Sequence, residues 1–322
     1  MTADKILIIG ANGQIGSVLT QTLMAQYGQN AVIPTDLHPP KASNLPFLQL
    51  DVLDEKKLFE VVREHKITQI YHLAAILSAK GESKPLLAWD INMRSLFNVL
   101  EVAKETQVAK VFFPSSIAVF GDQAPPVLTP QHTVLNPSTV YGISKVAGEH
   151  WCQYYFDKYQ VDVRSIRYPG IIGYQSMPGG GTTDYAVEIY HKAVLGEDYT
   201  CFLEKGTTLP MIYMEDAIRA TIAIMDAPAN AIQFRSGYNL AGMSFSPEEI
   251  TRAIQQYYPT FQVFYQPDFR QDIAASWPQI IDDSQAREDW NWQPNYDLDA
   301  MTKDMIQNLE KKYQKEGLIA LS

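Results

Sequence analysis

Short apolar runs alternate along the chain with longer stretches in which apolar residues recur every three to four positions. Lys5–Ile9 (KILII) is a continuous apolar run of strand length. Gln14–Gln29 follows it, with Ile15, Val18, Leu19, Leu23 and Tyr27 on one helical face. Ala31–Thr35, Phe47–Leu50, Gln69–Leu73, Val108–Pro114 and Val161–Arg167 repeat the strand pattern, while Asp54–His65, Ser83–Glu105 and Ser138–Tyr159 repeat the helical one. Such alternation predicts βαβ units, and so an α/β fold on a doubly wound parallel sheet. After Tyr168 proline and glycine punctuate longer loops. Leu209–Met214 then reads as a strand and Glu215–Asp226 as a helix, expected to rejoin the main sheet. Ser246-Pro-Glu-Glu249 is a capping box with proline at the first helical position, and Ala300–Lys312 is amphipathic. The expected layout is one domain over residues 1–170, rejoined by 207–242. The remainder of 171–322 forms a smaller interleaved lobe.

The turn after the first strand reads Gly10-Ala-Asn12-Gly13-Gln14-Ile15-Gly16 and opens the first helix. In that context Gly10 permits a tight turn, Gly13 lets backbone approach a pyrophosphate, and Gly16 lets helix and strand pack closely. This is the dinucleotide-binding, Rossmann-like pattern, with the pyrophosphate at the helix N-terminus. Asp36 lies 20 residues past Gly16, at the end of the second strand, where a carboxylate accepts from ribose hydroxyls and repels a 2′-phosphate. NAD is therefore expected over NADP. Asp51, beside Val52 after the third strand, either meets the adenine edge or caps the helix near Asp54.

Composition narrows the field further. The chain has 322 residues, 46% of them hydrophobic, which is enough for a sizeable core, and a formal net charge of -10. With no basic cluster, nucleic acid and anionic membranes are not expected as partners. Two cysteines, Cys152 and Cys201, form no disulfide framework and no metal-ligand spacing, so no metal is expected and a reducing, cytoplasmic setting fits. The strand pattern begins at Lys5, leaving no room for a targeting peptide, and no apolar run reaches the ~20 residues of a membrane span.

Tyr141-Gly-Ile-Ser-Lys145 puts a phenol and an ammonium four residues apart, on one helical face. An ammonium beside a phenol stabilises the phenolate, so Lys145 is expected to lower the Tyr141 pKa toward a value useful to a base. Ser115 and Ser116 end a strand where ligands of open α/β sheets gather, and Ser116 stands 25 residues before Tyr141.

These motifs, in this order, resemble the extended short-chain dehydrogenase/reductase superfamily. The resemblance rests on Gly-x-x-Gly-x-x-Gly, His72-Leu73-Ala74-Ala75, Pro114-Ser-Ser-Ile-Ala-Val-Phe-Gly121 and Tyr-Gly-Ile-Ser-Lys. It runs on to Asp283-Ser-x-Ala-Arg and Trp290-x-Trp-x-Pro, so it covers nearly the whole chain. It implies Ser116, Tyr141 and Lys145 as catalytic residues, with Ser115 as the neighbour to be told apart from Ser116. It further implies that the Leu73–Ala75 strand end, Tyr168 and Pro169 contact the cofactor. Three segments resemble its short-chain, NAD-dependent L-threonine 3-dehydrogenase branch: Arg167-Tyr-Pro-Gly-Ile-Ile-Gly173 with the following Met177-Pro-Gly-Gly-Gly-Thr-Thr-Asp184, Ala75-Ile-Leu-Ser-Ala-Lys-Gly-Glu82, and Ser276-Trp277-Pro278.

Read from its residues alone, the triple-glycine stretch is either a helix cap or an anion site with the Thr182 and Thr183 hydroxyls and free backbone N–H groups. By the resemblance it is the second: Thr182 and Thr183 hold the carboxylate of L-threonine, and Ser78, Gly180 and Trp277 line the same pocket. Two rivals stand beside this reading. A sugar-nucleotide epimerase would need a site for a nucleotide diphosphate, and a dehydratase would need an acid pair where Ile117 and Ala118 stand. A nicotinamide-sensing regulator without turnover would be expected to lose the Tyr/Lys pair. The Ser83–Glu105 helix shows two apolar stripes, one of Trp89, Met93, Phe97 and Leu100 and another through Leu87, Ile91 and Val102. One can cover the sheet. The other seeks a partner, and the family pairs this helix and the Tyr141 helix across a two-fold axis, so a homodimer is expected.

Overall fold

The apolar runs become strands because helices cover both sheet faces and leave no polar side. In the computed structural model, which describes residues 4–40 and 46–319, these are β1 (Ile6–Ile9), β2 (Val32–Asp36), β3 (Leu48–Gln49), β4 (Gln69–His72), β5 (Lys110–Ser116) and β6 (Val163–Tyr168). Further along lie β7 (Gly170–Ile172), β8 (Tyr199–Cys201), β9 (Leu209–Tyr213), β10 (Tyr238–Asn239), β11 (Met243–Phe245) and β12 (Val263–Tyr265). The main sheet has seven strands in the order β10-β6-β5-β4-β1-β2-β3, every pair parallel. Strand order reverses at β1, between β2 and β4, so the loops beyond the carboxyl ends of β1 and β4 diverge and open a crevice.

Helices α1 (Gln14–Tyr27), α2 (Glu55–Glu64), α3 (Ser78–Glu82), α4 (Pro85–Thr106) and α5 (Val140–Tyr159) alternate with these strands. They are followed by α6 (Tyr185–Val194), α7 (Met214–Asp226), α8 (Pro247–Gln255), α9 (Phe269–Ala275), α10 (Ser284–Trp290) and α11 (Leu298–Lys315). The two-residue alternation of β1 sorts the core. Ile6 and Ile8 pack with Leu19, Leu23 and Ile218 from α1 and α7, while Leu7 and Ile9 pack with Leu58, Val62, Leu96 and Val99 from α2 and α4. α8 carries the expected capping box, with Ser246 and Glu249 bonded reciprocally.

Two expectations are corrected. The strand at Leu209–Tyr213 does not enter the main sheet. It pairs with β7 in parallel and with β11 antiparallel in a separate three-stranded sheet. Pro169 has no N–H for the ladder, and β6 ends at Tyr168, so the chain leaves the sheet there and β9 follows β7. The segment regains the sheet through β10, beside β6. α7 is tied to that edge by buried Arg164, which donates to the carbonyls of Ile224, Met225 and Ala227 at the end of the helix. The second correction concerns α4. Met93, Leu100 and Val102 are all buried, because the sheet and the neighbouring helices cover a wide arc. The exposed apolar residues of α4 are Leu86, Leu87 and Trp89.

Two buried histidines make the fold acid-sensitive. Burial holds His72 down at about 3 and His191, on α6, at about 4, with the charges of Lys145 and Lys312 lowering them further. An unfolded chain takes up protons near the ordinary value of ~6.5, so below that pH it binds more protons than the folded chain and stability falls. Calorimetry should give a melting temperature that drops between pH 7 and pH 5. A flat profile would contradict this.

Candidate active site

The crevice beyond β1 begins with the glycine turn. The Gly10 and Ala11 amides both donate to Thr35 O at 2.9 Å, pinning the turn to β2. Gly10 has φ +89°, and a Cβ there would meet Ala74 N at 2.7 Å; a Cβ on Gly16 would meet Gly10 O at 2.1 Å. The fold itself therefore requires those two glycines. Gly13 is different, since a Cβ there would meet only Gly10 O, at 3.3 Å. The space it leaves adjoins the N-terminus of α1, where no side chain caps the free N–H groups and no acidic residue stands in the first turn. A bare helix end beside open backbone suits a pyrophosphate.

Asp36 closes β2. Its carboxylate accepts from the amides of Asn12 (2.9 Å) and Leu37 (2.7 Å), which aims it across the turn and leaves lone pairs for ribose hydroxyls. The Asn12 amide group donates to His38 O at 2.5 Å, closing the turn against the segment after β2. Asp51 accepts from Leu53 N at 2.9 Å, ahead of the helix cap made by Asp54 on Lys57 N. Val52 is buried, and its carbonyl accepts from Asn98 of α4 at 2.9 Å. Asn12 and Asp36 thus close the turn at the bare end of α1, and that donor set fits NAD, while Asp51 and Val52 are held by Leu53 and Asn98.

Further into the crevice is a cleft of about 150 Å³ that opens to solvent. Gln14, Ile15, Leu73 and Ala75 lie on its cofactor side, and Tyr168 and Pro169 reach it from the end of β6. The Tyr168 hydroxyl is turned away, bonded to Thr221 of α7. Ser116, Tyr141 and Lys145 share the same cleft. Ser116 ends β5 and caps the single turn that follows, its hydroxyl accepting from Ala118 N at 3.2 Å. Ser115 is told apart from it. Pointing the other way, it is buried and donates to Glu149 at 2.6 Å. Glu149 in turn is gripped by Nε and Nη2 of Arg167, at 2.9 and 2.8 Å, in a buried pair. This pair was not anticipated from the sequence; its members belong to α5 and β6 and meet only in the fold.

The Tyr/Lys pair differs from its expectation. Burial raises Tyr141 to about 12, offset in part by a hydrogen bond with Ser116. Burial also lowers Lys145, to about 8. The Lys145 ammonium donates to Pro114 O at 2.6 Å, lies 4.6 Å from the centre of the Phe113 ring, and is 5.3 Å from the centre of the Tyr141 ring. In the protein alone, desolvation outweighs the attraction between the two groups.

The triple-glycine stretch forms the opposite wall. Thr182, Thr183, Trp277 and Ser78 all line the cleft. Thr182 is buried, and its hydroxyl has no protein partner. Thr183 packs on Gly170, where a Cβ would come 2.7 Å from its methyl. Gly180, by contrast, is exposed, and Gly181 lines the cleft instead. The amides of Gly180 and Gly181 are not free for a ligand, because both donate to the Asp184 carboxylate at 2.7 Å. Asp184 does not cap α6 through its side chain; it folds the glycine turn back on itself. Burial raises its pKa, with the two amides and the Arg270 charge lowering it in part. Asp184 lines the cleft as well. Its place directly after Thr-Thr was the available signal for it.

Comparison with known proteins places this geometry. A model of the NAD dependent epimerase/dehydratase family matches residues 6–241. An uncharacterized epimerase/dehydratase of Staphylococcus aureus (strain USA300) is 50% identical over 313 residues, covering 96% of this chain and 97% of that one. Among solved structures, a GalE-like L-threonine dehydrogenase from Cupriavidus necator in its holo form is 55% identical, with TM-score 0.93 over 95% of this chain and 99% of that one. A monomeric L-threonine 3-dehydrogenase from a metagenome is 48% identical, with TM-score 0.93 over the same shares. With its glycine turn, Asp36 and the Tyr141/Lys145 cleft arranged as described, the chain belongs to the NAD dependent epimerase/dehydratase family and uses NAD.

Proposed function

We propose that the chain oxidises the 3-hydroxyl of L-threonine, forming 2-amino-3-ketobutyrate. One observation carries the reading: the buried, unpartnered Thr182 hydroxyl lies in the same cleft as Ser116, Tyr141 and Lys145. A buried hydroxyl without a partner costs roughly 1–3 kcal/mol. A substrate carboxylate accepting from it, and from Thr183, removes that cost and positions the substrate.

In this account Ser116 donates to the substrate hydroxyl oxygen and Tyr141, as phenolate, takes the hydroxyl proton. Bound NAD supplies the hydride acceptor and a positive charge in the cleft. Lys145, held by Pro114 O, keeps its ammonium under the Tyr141 ring and favours the phenolate. Asp184 offers a counter-charge to the substrate ammonium. Because Tyr141 must lose a proton to serve as base, turnover rises with pH on its acid limb. The test is NAD reduction with L-threonine, its diastereomer, L-serine, L-3-hydroxybutyrate and a UDP-hexose. The account expects L-threonine to be the best of them. A faster reaction with the UDP-hexose would replace this reading with the epimerase one.

Asp36 is the proposed NADP discriminator. Replacing it in the double variant Asp36→Ala, Leu37→Arg should lower the ratio of kcat/KM for NAD over NADP by about 10-fold or more, by removing the repulsion at the 2′ position. An unchanged ratio would place Asp36 off the ribose.

We also propose a cytoplasmic homodimer. Cys152 and Cys201 are free and buried, as suits a reducing compartment. Leu86, 83% exposed, joins Leu87 and Trp89 of α4 and Ile143, Trp151 and Tyr154 of α5 as exposed apolar residues, with Phe97 edge-on to Trp151 at 5.0 Å. An apolar face shared by two adjacent helices fits a second copy of the chain. Light scattering should give twice 36.3 kDa; the single-chain mass at micromolar concentration would remove the proposal.

A further inference from the structure

Beside Lys145 and Ala75, which also line the cleft, lies a small cavity bordered by His72, Ala74, Asn92 and Ser144, with the Phe113 ring as an apolar wall. It leaves about 10 Å³ for the centre of a water molecule, near the least that holds one. His72 closes β4 and is buried. Its Nε2 lies 3.2 Å from Ser95 Oγ, and that hydroxyl already donates to Asn92 O at 3.1 Å. With that bond kept, Ser95 accepts from the ring, and in this tautomer Nε2 carries the hydrogen and Nδ1 is a bare acceptor. Nδ1 is fully enclosed and has no protein partner. Lys145, which lines the same cavity, has three N–H groups and donates one to Pro114 O.

We propose that His72 is a positioning residue: its Nδ1 holds one buried water, which accepts from Lys145 Nζ and fixes the ammonium beneath Tyr141. The arrangement balances, since the water gives one hydrogen to Nδ1 and takes one from Lys145, and two such polar partners favour a water in the void. His72 suits the task because burial keeps it neutral at working pH, so it never adds a second positive charge beside Lys145. The other ionisable groups around Lys145 are accounted for. Tyr141, Glu149 and Cys152 share its helix, Glu149 is paired with Arg167 of β6, and the Cys152 thiol is held far above its ordinary value by burial.

The inference rests on the Tyr141/Lys145 reading for its effect on turnover, and its test has one arm that does not. A crystal structure at about 1.5 Å should show a water within hydrogen-bond reach (~3 Å) of both Nδ1 and Nζ. A dry cavity overturns the proposal whatever the protein catalyses. Two variants then separate it from a purely structural role. His72→Gln keeps an N–H for Ser95 but has no acceptor at the δ position; His72→Asn keeps the δ acceptor and loses the donor to Ser95. The Gln variant should lose about 10-fold in kcat at pH 7 and move the acid limb of kcat up by about one pH unit, because a looser ammonium favours the phenolate less. The Asn variant should stay within about 2-fold with its limb unmoved, and KM for NAD should stay near wild type in both. The reverse ranking would make the Ser95 bond the role of His72, and equal behaviour of the two would also overturn the proposal. Failure of Tyr141→Phe to slow turnover would overturn the site reading while leaving the water as found.

Discussion

Tyr141→Phe is expected to lower turnover at least ~100-fold, the low end for loss of a general base, with NAD affinity little changed. The ring stays, so its packing in the cleft is kept. What goes is the one hydroxyl beside Ser116 that can exchange a proton with the substrate. The effect is large because the site concentrates the task in one group. Lys145 is committed to Pro114 O, and Ser115 to Glu149. Among the described residues, the other ionisable groups of the cleft are Tyr168, bonded to Thr221, and Asp184, bonded to the Gly180 and Gly181 amides. The acid limb supplies the sign. Burial holds Tyr141 high, at about 12 in the protein alone, so protonation is the resting condition and turnover must rise with pH. Steady-state rates across pH 6–10 check both points. Wild-type-like turnover in the Phe variant would remove Tyr141 from the mechanism.

Thr182→Ala carries the second large effect, and two readings of it differ in whether substrate binding changes. Were the hydroxyl only structural, its loss would relieve a buried group without a partner and leave stability equal or higher. Were it the carboxylate donor, the cost falls on substrate binding. A hydrogen bond to a charged group is worth roughly 1.5–3 kcal/mol, so KM for L-threonine should rise about 10- to 150-fold while the KM for NAD holds. Thr183→Ala should behave likewise, with some added loss of stability because its methyl packs on Gly170. The control is 1-amino-2-propanol, a threonine analogue without the carboxylate. Wild type should handle it poorly, and the variants no worse than wild type does. A wild-type KM for L-threonine in both variants would withdraw the carboxylate from this wall.

Much of this was legible in the sequence, because the relevant signals are local. A strand, a glycine turn and a helix are adjacent in the chain, so Gly10, Gly13 and Gly16 announced a dinucleotide cradle before any geometry was known. Tyr141 and Lys145 are neighbours on one helical face for the same reason. What sequence could not show depends on pieces that meet only in the fold. The departure of β7 from the main sheet, and of β9 with it, follows from Pro169 and from which strand offers a free edge. The Glu149–Arg167 pair, whose carboxylate accepts from Ser115, joins a helix to a strand. Asp184 looked like part of an anion site and instead consumes the amides that site would have used. Spacing also says nothing about desolvation, and in the protein alone the loss of water around the Tyr141 phenol raises it despite the nearby Lys145 ammonium.

The central claim is that a hydride leaves Cβ of L-threonine for NAD as Tyr141 takes the hydroxyl proton. L-Threonine deuterated at Cβ, incubated with NAD and the enzyme, tests it most directly by mass spectrometry of the reduced cofactor and the amino-acid product. The account predicts one deuterium in each molecule of reduced cofactor formed, and a 2-amino-3-ketobutyrate product without deuterium at that carbon. Reduced cofactor without deuterium, or no reduction at all by L-threonine, would contradict it.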